Sequence, residues 1–572
     1  MARFREYGSA LTAPPPGSAS ARLGAAFALP LFVFLLPAAR ADDCPLPPAG
    51  AVQRWQGEAA WTTLADQAYR IGKVHILVDN VFDLDNPDED TWYGRTADAL
   101  HVETHPGVIR DQLLFKSGDA VDPRLMYESV RLLRSLSFLR YADITPESCQ
   151  GQTVDVTAHV KDAWTLKFDL NFTHVGGQSN LGASFKDVDF LGTGKTLALG
   201  HKSDQQRSTN QVSYQDPELL GSRWQLGATY AHLSDGHIHE FDLNQPFYED
   251  YTPWSFTFHY LDQLQNLNFY EKDTLAWSVP DRLRSTELDW MWLMGFADGS
   301  GTRLGVSYLY QDYGYGALES FPPVFIPQPD LRPRRLGGPA FDWEYFEDHY
   351  ASFTNLALIG RTEDYNMGWD TRAQAGYLGT TFGSDIPGAF YDVSTSYGGL
   401  YGDRTVLVSN ASLQGRRQSG KDRNVLGSLV FTLYNNYFDD HTLVFHGDVE
   451  YTLRPDPENM LYLGGLQGMP GYPNYFYIGD RRWQSQVADR WVTPYRLWNI
   501  FQVGFSAYVD VGQIRRLGDS WSPTLADAGL ALRLGDVRSA YGGVIYITYA
   551  WPLVNVPGVS GKQFVIGNIF TF

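Results

Sequence analysis

From Trp164 to the carboxyl terminus, apolar and polar residues trade places in successive runs of about ten, the pattern a membrane-spanning barrel strand requires. In RWQLGATYAHL, Trp224, Leu226, Ala228 and Tyr230 alternate with Arg223, Gln225, Gly227 and Thr229. YTPWSFTFHY sets Trp254, Phe256, Phe258 and Tyr260 against Ser255, Thr257 and His259, and HTLVFHGDVEYTL sets Leu443, Phe445, Val449 and Tyr451 against Thr442, His446, Asp448 and Glu450. A soluble sandwich alternates too, but several runs here end on Trp or Tyr as an interfacial girdle does. The chain closes on QFVIGNIFTF, where Phe564, Ile566, Phe570 and Phe572 share one face. No stretch after residue 41 holds the roughly 20 apolar residues of a spanning helix, so a membrane crossing has to be made by a closed barrel. Roughly 16 to 19 candidate strands can be cut from the pattern, with 264–300 and 340–383 divisible in two ways. The Pro-rich LESFPPVFIPQPDLRPRRLGGPAFDW reads as an external loop.

Ahead of this run the periodicity differs. IGKVHILVDN places Val74, Ile76 and Val78 on one strand face. HPGVIRDQLLF and DPRLMYESVRLLRSLSF have helical spacing, with Met126, Val130, Leu133 and Leu136 on one stripe and Arg124, Glu128 and Arg131 spaced to pair on another. Asp122 and Pro123 supply a cap and a first-turn proline. TVDVTAHVKD then alternates with Val154, Val156, Ala158 and Val160 inward. The order is strand, helix, helix, strand, strand over 70–162. Residues 81–106 insert an acidic segment between the first strand and HPGVIRDQLLF; its DLDNPDED lacks the glycine and spaced glutamate of a calcium loop. Residues 42–69 form a linker with a short helix near EAAWTTLADQA, and 1–41 read as a signal peptide, with a membrane anchor as the other possibility.

The 572-residue chain carries a net charge of −20, which disfavours nucleic acid as a partner. Its two cysteines, Cys44 and Cys149, fall in the exported part and are expected to form a disulfide. A lipid on Cys44 is the other option, and Asp42 and Asp43 just before it argue against that. Catalytic and cofactor motifs are missing: G-x-S-x-G, H-E-x-x-H and P-loop patterns do not occur. GDS at Gly518–Ser520 sits in a late turn. His237 and His239 of HIHE share a strand face and have metal-ligand spacing, though alternating polar residues on a barrel strand account for them more simply. The expectation is a non-enzyme without cofactor or metal.

The phrase LLFKSGDAVDPRLMYESVRLLRSLSFLRYADI resembles the POTRA domain, a polypeptide-binding module. LGGLQGMPGYPNYFYIGDRRW, GFSAYVDVGQI, and AGLALRL followed by IYITYAWPL resemble the BamA/TamA family of outer-membrane assembly factors, whose barrel is also called the bacterial surface antigen domain. FLGTGKTLALGH and YQDPELLGSRWQLGATY fit its second to fifth strands. The resemblance implies an all-β transmembrane barrel of about 16 antiparallel strands over 163–572, one small α+β POTRA-like domain over 70–162, and a loop, 454–482, folded into the lumen. Terminal Phe572 then looks like a barrel-insertion signal. The family loop carries Arg-Gly-aromatic; the matching place is Pro470-Gly471-Tyr472, with Gly464 and Gly465 upstream, so the arginine is lacking. The acid such an arginine would contact matches Asp510. A turn about Arg496 would set Arg482 opposite Asp510, with Arg481 as substitute and a hydrated, unpaired Asp510 as the remaining option. By resemblance the barrel sits in a bacterial outer membrane, with the POTRA-like domain in the periplasm, where a further partner could meet it. It would insert or translocate unfolded outer-membrane clients by strand pairing at the POTRA edge and the barrel seam. A passive pore, a structural surface antigen or a lipid exporter is the alternative.

Overall fold

The computed structural model describes residues 44–45, 57–87, 89–175, 178–249, 251–322, 326–517, 520–538, 543–559 and 561–567. The leader, most of 42–56, Gly518 and Asp519 of GDS, Phe570 and Phe572 lie outside them.

A helix α1 (Glu58–Asp66) precedes a three-stranded sheet of β1 (Arg70–Asp79), β2 (Leu139–Gln150) and β3 (Thr153–Asp162) in the order β1-β3-β2. β3 is parallel to β1 and antiparallel to β2. Between β1 and β2 run α2 (Trp92–Leu100), α3 (Pro106–Gln112) and α4 (Pro123–Ser135). The stripe on α4 is the buried one: Met126, Val130 and Leu133 pack with Ile109, Val154, Val156, Ala158 and Val160 into one core. The Asp122 side chain accepts from Arg124 N at the head of α4, and Arg124 pairs with Glu128 one turn on. Cys44 and Cys149 are joined in a disulfide, tying the linker to β2. α2 lies inside the acidic insertion, where Thr91 caps it by accepting from Gly94 N.

The rest of the chain closes into one antiparallel barrel. Its hairpins, joined at the end far from the amino-terminal domain, are β4 (Leu166–Val175) with β5 (Gln178–Asp187), β6 (Thr196–Ser203) with β7 (Ser208–Asp216), β8 (Gln225–Leu233) with β9 (Gly236–Gln245), and β10 (Trp254–Glu271) with β11 (Thr274–Ala297). β12 (Ser300–Tyr315) follows, then a two-residue β13 (Glu319–Ser320) and β14 (Arg334–Glu347). A small separate hairpin, β15 (Tyr350–Thr354) with β16 (Thr362–Asn366), interrupts the barrel before β17 (Trp369–Leu378) and β18 (Gly388–Tyr401). The circuit ends with β19 (Thr405–Gln418), β20 (Lys421–Phe438), β21 (His441–Leu453), the three-residue β22 (Leu461–Leu463), β23 (Tyr477–Leu497), β24 (Phe501–Arg516), β25 (Leu525–Asp536), β26 (Val544–Pro552) and β27 (Gln563–Gly567).

β27 lies beside β4 and closes the ring. β12 pairs directly with β14, and β21 with β23, so β13 and β22 are appendages. Among the described residues, twenty staves remain, not the 16 of the resemblance. The divisible stretch 264–300 belongs to two long staves and the start of a third, and residues 334–343 at the end of the Pro-rich stretch are wall rather than loop.

The outer wall is apolar. Tyr230, Trp290, Trp292, Phe341, Leu429, Val487, Leu530 and Phe564 are all exposed on it, while their sequence neighbours face the lumen, as the pleat demands. A soluble protein does not expose such a band, so the barrel spans a membrane. No described helix is long and apolar enough to cross one.

Candidate functional site

Among the described residues, two segments enter the barrel. At the far mouth, the loop after β21 folds inward instead of out into solvent. Gly464, Gly465, Pro470, Gly471 and Tyr472 are all buried. Tyr472, Phe476, Met469 and Leu463 pack with Ile514 and Leu525 of the wall. Gly464 and Gly465 have φ of 121° and 58°, which favour glycine. Gly471 meets a closer constraint: a Cβ there would lie 2.6 Å from Asp527 Cβ. Its bare backbone instead brings Gly471 N to 2.7 Å from Asp527 Oδ2, while the Tyr472 hydroxyl donates to Ala526 O at 2.9 Å. Beyond this, Tyr475 stacks on Tyr270 at 4.9 Å, and Lys272 N donates to Phe476 O. The loop therefore crosses the mouth from β25 to the β10–β11 turn. It ends at Phe476, because Tyr477 already begins β23, so residues 477–482 of the expected loop are wall.

The expected Asp510–Arg482 pair does not form. Gln486 stands opposite Asp510 and donates to it at 2.8 Å; Arg482 faces Ile514, four residues further along. The hairpin turns at Trp498 and Asn499, both at positive φ, and a bulge between Val492 and Arg496 shifts the register again. Placing the turn at Arg496 missed both. Arg481 is on the outer face, over the Tyr451 ring at 4.7 Å, and cannot replace it. Asp510 instead lies directly across from Asp527.

Arg482 has another task. It binds Asp448 at 2.9 Å and Glu450 at 2.5 Å, and donates to the loop carbonyls of Tyr462 at 2.7 Å and Gln467 at 3.1 Å. An arginine on the wall thus holds loop backbone.

At the domain end, the β15–β16 hairpin enters the lumen; no sequence signal marked it. Glu363 closes its tip by accepting from the backbone N–H groups of Leu356, Ala357 and Leu358 and from the Tyr365 hydroxyl. Leu356 packs against Val406, Tyr434, Val444 and Ala488; Ile359 packs against Ala531 and Tyr546. Gly535 makes room for Ile359, since a Cβ there would lie 2.4 Å from it. Buried Arg490 and Arg533 donate to Leu356 O and Ala357 O at 3.2 and 3.3 Å.

The amino-terminal domain lies across the same mouth. Arg131 of α4 binds Asp348 at 3.3 Å and covers the Tyr350 ring at 4.5 Å, at the base of the hairpin. Arg124 covers Tyr251 at 4.4 Å. The acidic insertion proves to be a clamp. Arg538, in the β25–β26 turn, donates to Val81 O and pairs with Glu89 at 2.6 Å. Burial pulls the Glu89 carboxyl up, but Arg538, together with the Asp83 N–H and the nearby Lys161, more than offsets it and holds the carboxyl at about 2. Thr104 bridges Asp162 of the domain to Asp189 of the β5–β6 turn, at 2.8 and 2.7 Å.

The last stave shows Phe564 on the outer wall and Val565 buried; Ile566 pairs with Ile547.

No family model and no curated protein matches the chain. Among solved structures it is similar to BamA from Haemophilus ducreyi lacking POTRA domains 1–3, at 13% identity over 86% of this chain and 84% of that one, with a TM-score of 0.39. It is also similar to CdiB from Escherichia coli, at 12% identity over 86% of this chain and 75% of that one, with a TM-score of 0.42. The FrpB iron transporter from Neisseria meningitidis, in its apoprotein form, is similar at 9% identity over 87% of this chain and 93% of that one, with a TM-score of 0.36.

Proposed function

We propose that this chain is a bacterial outer-membrane assembly factor that inserts or translocates outer-membrane proteins, its POTRA-like domain on the periplasmic side. The observation that carries this reading is the lumen itself. The far mouth is crossed by a packed loop, and the other end holds both a hairpin with a buried tip and the amino-terminal domain. A passive pore gains nothing from such stoppers, and this weighs against the pore reading.

A client would use the wall. Its strand pairs with an exposed edge, β2 of the amino-terminal sheet or the seam of β4 and β27, so that backbone hydrogen bonds supply affinity with little demand on sequence. No covalent chemistry is involved.

The test is to introduce cysteine pairs along Leu166–Val175 and Gln563–Gly567 and oxidise them in cells, alongside depletion of the protein. Under this reading, locking the seam reproduces the depletion phenotype, a loss of assembled outer-membrane proteins that reductant reverses. Normal outer-membrane protein levels with a fully locked seam would overturn it, and a lipid defect without a protein defect would point to lipid export.

A further inference from the structure

His237 and His239 were expected to be ordinary polar positions of a barrel strand. The register places them elsewhere. His239 stands between Tyr230 on β8 and Asp262 on β10, and His237 between His232 and Leu264. Because directly paired residues share a face, both histidines and Asp262 lie on the outer wall with Tyr230, Phe241 and Tyr260, all exposed. They sit close to the β8–β9 turn, at the far rim of the apolar band.

We propose that His237, His239 and Asp262 form a binding site for a divalent transition-metal ion of the zinc class. One ligand atom from each of the three lies within 4.8 Å of the others. The two imidazoles are stacked with centroids 4.9 Å apart, and His239 also stacks on Tyr230 at 5.2 Å, which restrains its ring. Asp262 Oδ1 is shielded from solvent and has no hydrogen-bond partner. Histidines at i and i+2 on one strand, with a carboxylate opposite the second, supply three ligands and leave a fourth position open. Two imidazoles favour zinc, nickel or copper over calcium or magnesium. Bonds of about 2.0–2.2 Å need ligand atoms roughly 3.4 Å apart, which side-chain rotation can supply at an exposed site.

Arg282 and Arg284 approach the same Asp262 oxygen, each at 3.6 Å through Nε, with side chains about half exposed. They compete with a cation for the carboxylate and set the affinity in a modest range. A second cluster, Glu240, Asp242 and His259, occupies the lumen side. It is already satisfied, because His259 Nδ1 lies 2.7 Å from Asp242 Oδ1. The outer cluster has no such internal pairing through Asp262 Oδ1.

The test uses the full chain in detergent micelles, without a histidine tag, stripped by chelator and titrated with Zn²⁺ against a fluorescent competitor; Co²⁺ absorption reports the ligand geometry. One equivalent should bind in the micromolar range. H239A and D262N should each weaken it at least tenfold, and H201A, altering another histidine of the barrel, should leave it unchanged. The R282Q/R284Q double variant should tighten binding severalfold by freeing Asp262. Retention of the folded, heat-modifiable form shows that each variant is intact. Absence of saturable binding in the wild type, or binding indifferent to H239A and D262N, would overturn the proposal.

Discussion

The loop at the far mouth and the hairpin at the domain end both fill the lumen, but they are held differently. The loop is gripped by barrel side chains: Arg482 takes two of its carbonyls, Asp527 takes one of its amides, and an apolar cluster seals around Tyr472. The hairpin satisfies its own tip amides through Glu363 and gives the wall two carbonyls. Its base is bound to the amino-terminal domain through Arg131. The loop is therefore a stopper built into the barrel, whereas the hairpin is a stopper that movement of the domain could withdraw.

The largest effect should come from the loop's anchor. Arg482→Ala leaves Asp448 and Glu450 without their cation in a nearly closed site and frees two loop carbonyls, a loss of about 3–5 kcal/mol. Hydrogen exchange of amides in 463–476 should accelerate by two decades or more, while exchange in 350–366 stays at its wild-type rate. Equal acceleration in both segments would remove the distinction between them.

Ile359→Ala tests the hairpin. The side chain fills a niche against Gly535, Ala531 and Tyr546, and truncating a buried Ile costs about 2–4 kcal/mol. The hairpin should become protease-sensitive, while the loop keeps its protection. Arg131→Ala should have a smaller effect of the same kind, about 1–2 kcal/mol, because the Asp348 ion pair and the cation–π contact with Tyr350 that it removes lie at the rim. Its diagnostic outcome is joint: the amino-terminal domain and the hairpin should loosen together in exchange measurements. Loosening of the domain alone would mean that the two are not coupled.

The contrast also shows what the sequence could carry. The loop was legible because it needs unusual residues: glycines at positive φ, a glycine against Asp527, and aromatics where an exposed loop has few. The hairpin was not, since Tyr350–Thr354 and Thr362–Asn366 alternate like any short strand and Glu363 looks like a surface acid. Alternation fixed which face of β21, β23 and β24 meets the lumen, because a pleat has a period of two. It could not fix register, where the turn at Trp498 and Asn499, together with the bulge between Val492 and Arg496, sets Asp510 opposite Gln486 and not Arg482. Strand number could not be read either: β10 and β11 run to 18 and 24 residues, so a period of roughly ten residues does not mark where one stave ends, and the start of β14 lies inside a proline-rich run that reads as loop. The acidic insertion was visible as a departure, but its role as a clamp depends on Arg538, more than four hundred residues away.

The smallest expected effect is one of pH at that clamp. Thr104 has a single hydroxyl proton yet lies within hydrogen-bonding distance of both Asp162 and Asp189, so one of the two carboxyls is best served by carrying a proton itself. Burial pushes Asp162 up to about 7, against the pull of its two bonds from Thr104, and burial raises Asp189 as well. A carboxyl raised in the docked state favours docking at low pH, and that contribution is lost as pH rises through about 7. His101, 3.9 Å from Asp162, works the other way: burial lowers its pKa, so docking is opposed as pH falls below its ordinary value of 6.5. Glu89, held at about 2, stays ionised throughout. Between pH 6 and pH 8 Asp162 titrates in the middle of the window and contributes about 1 kcal/mol, which His101 offsets in part. Exchange of amides in 101–106 should therefore be several times slower, after correction for the intrinsic rate, at pH 6 than at pH 8. Asp162→Asn, which keeps the shape and cannot ionise, should flatten the dependence. A dependence that survives in D162N would place the titration elsewhere in the clamp.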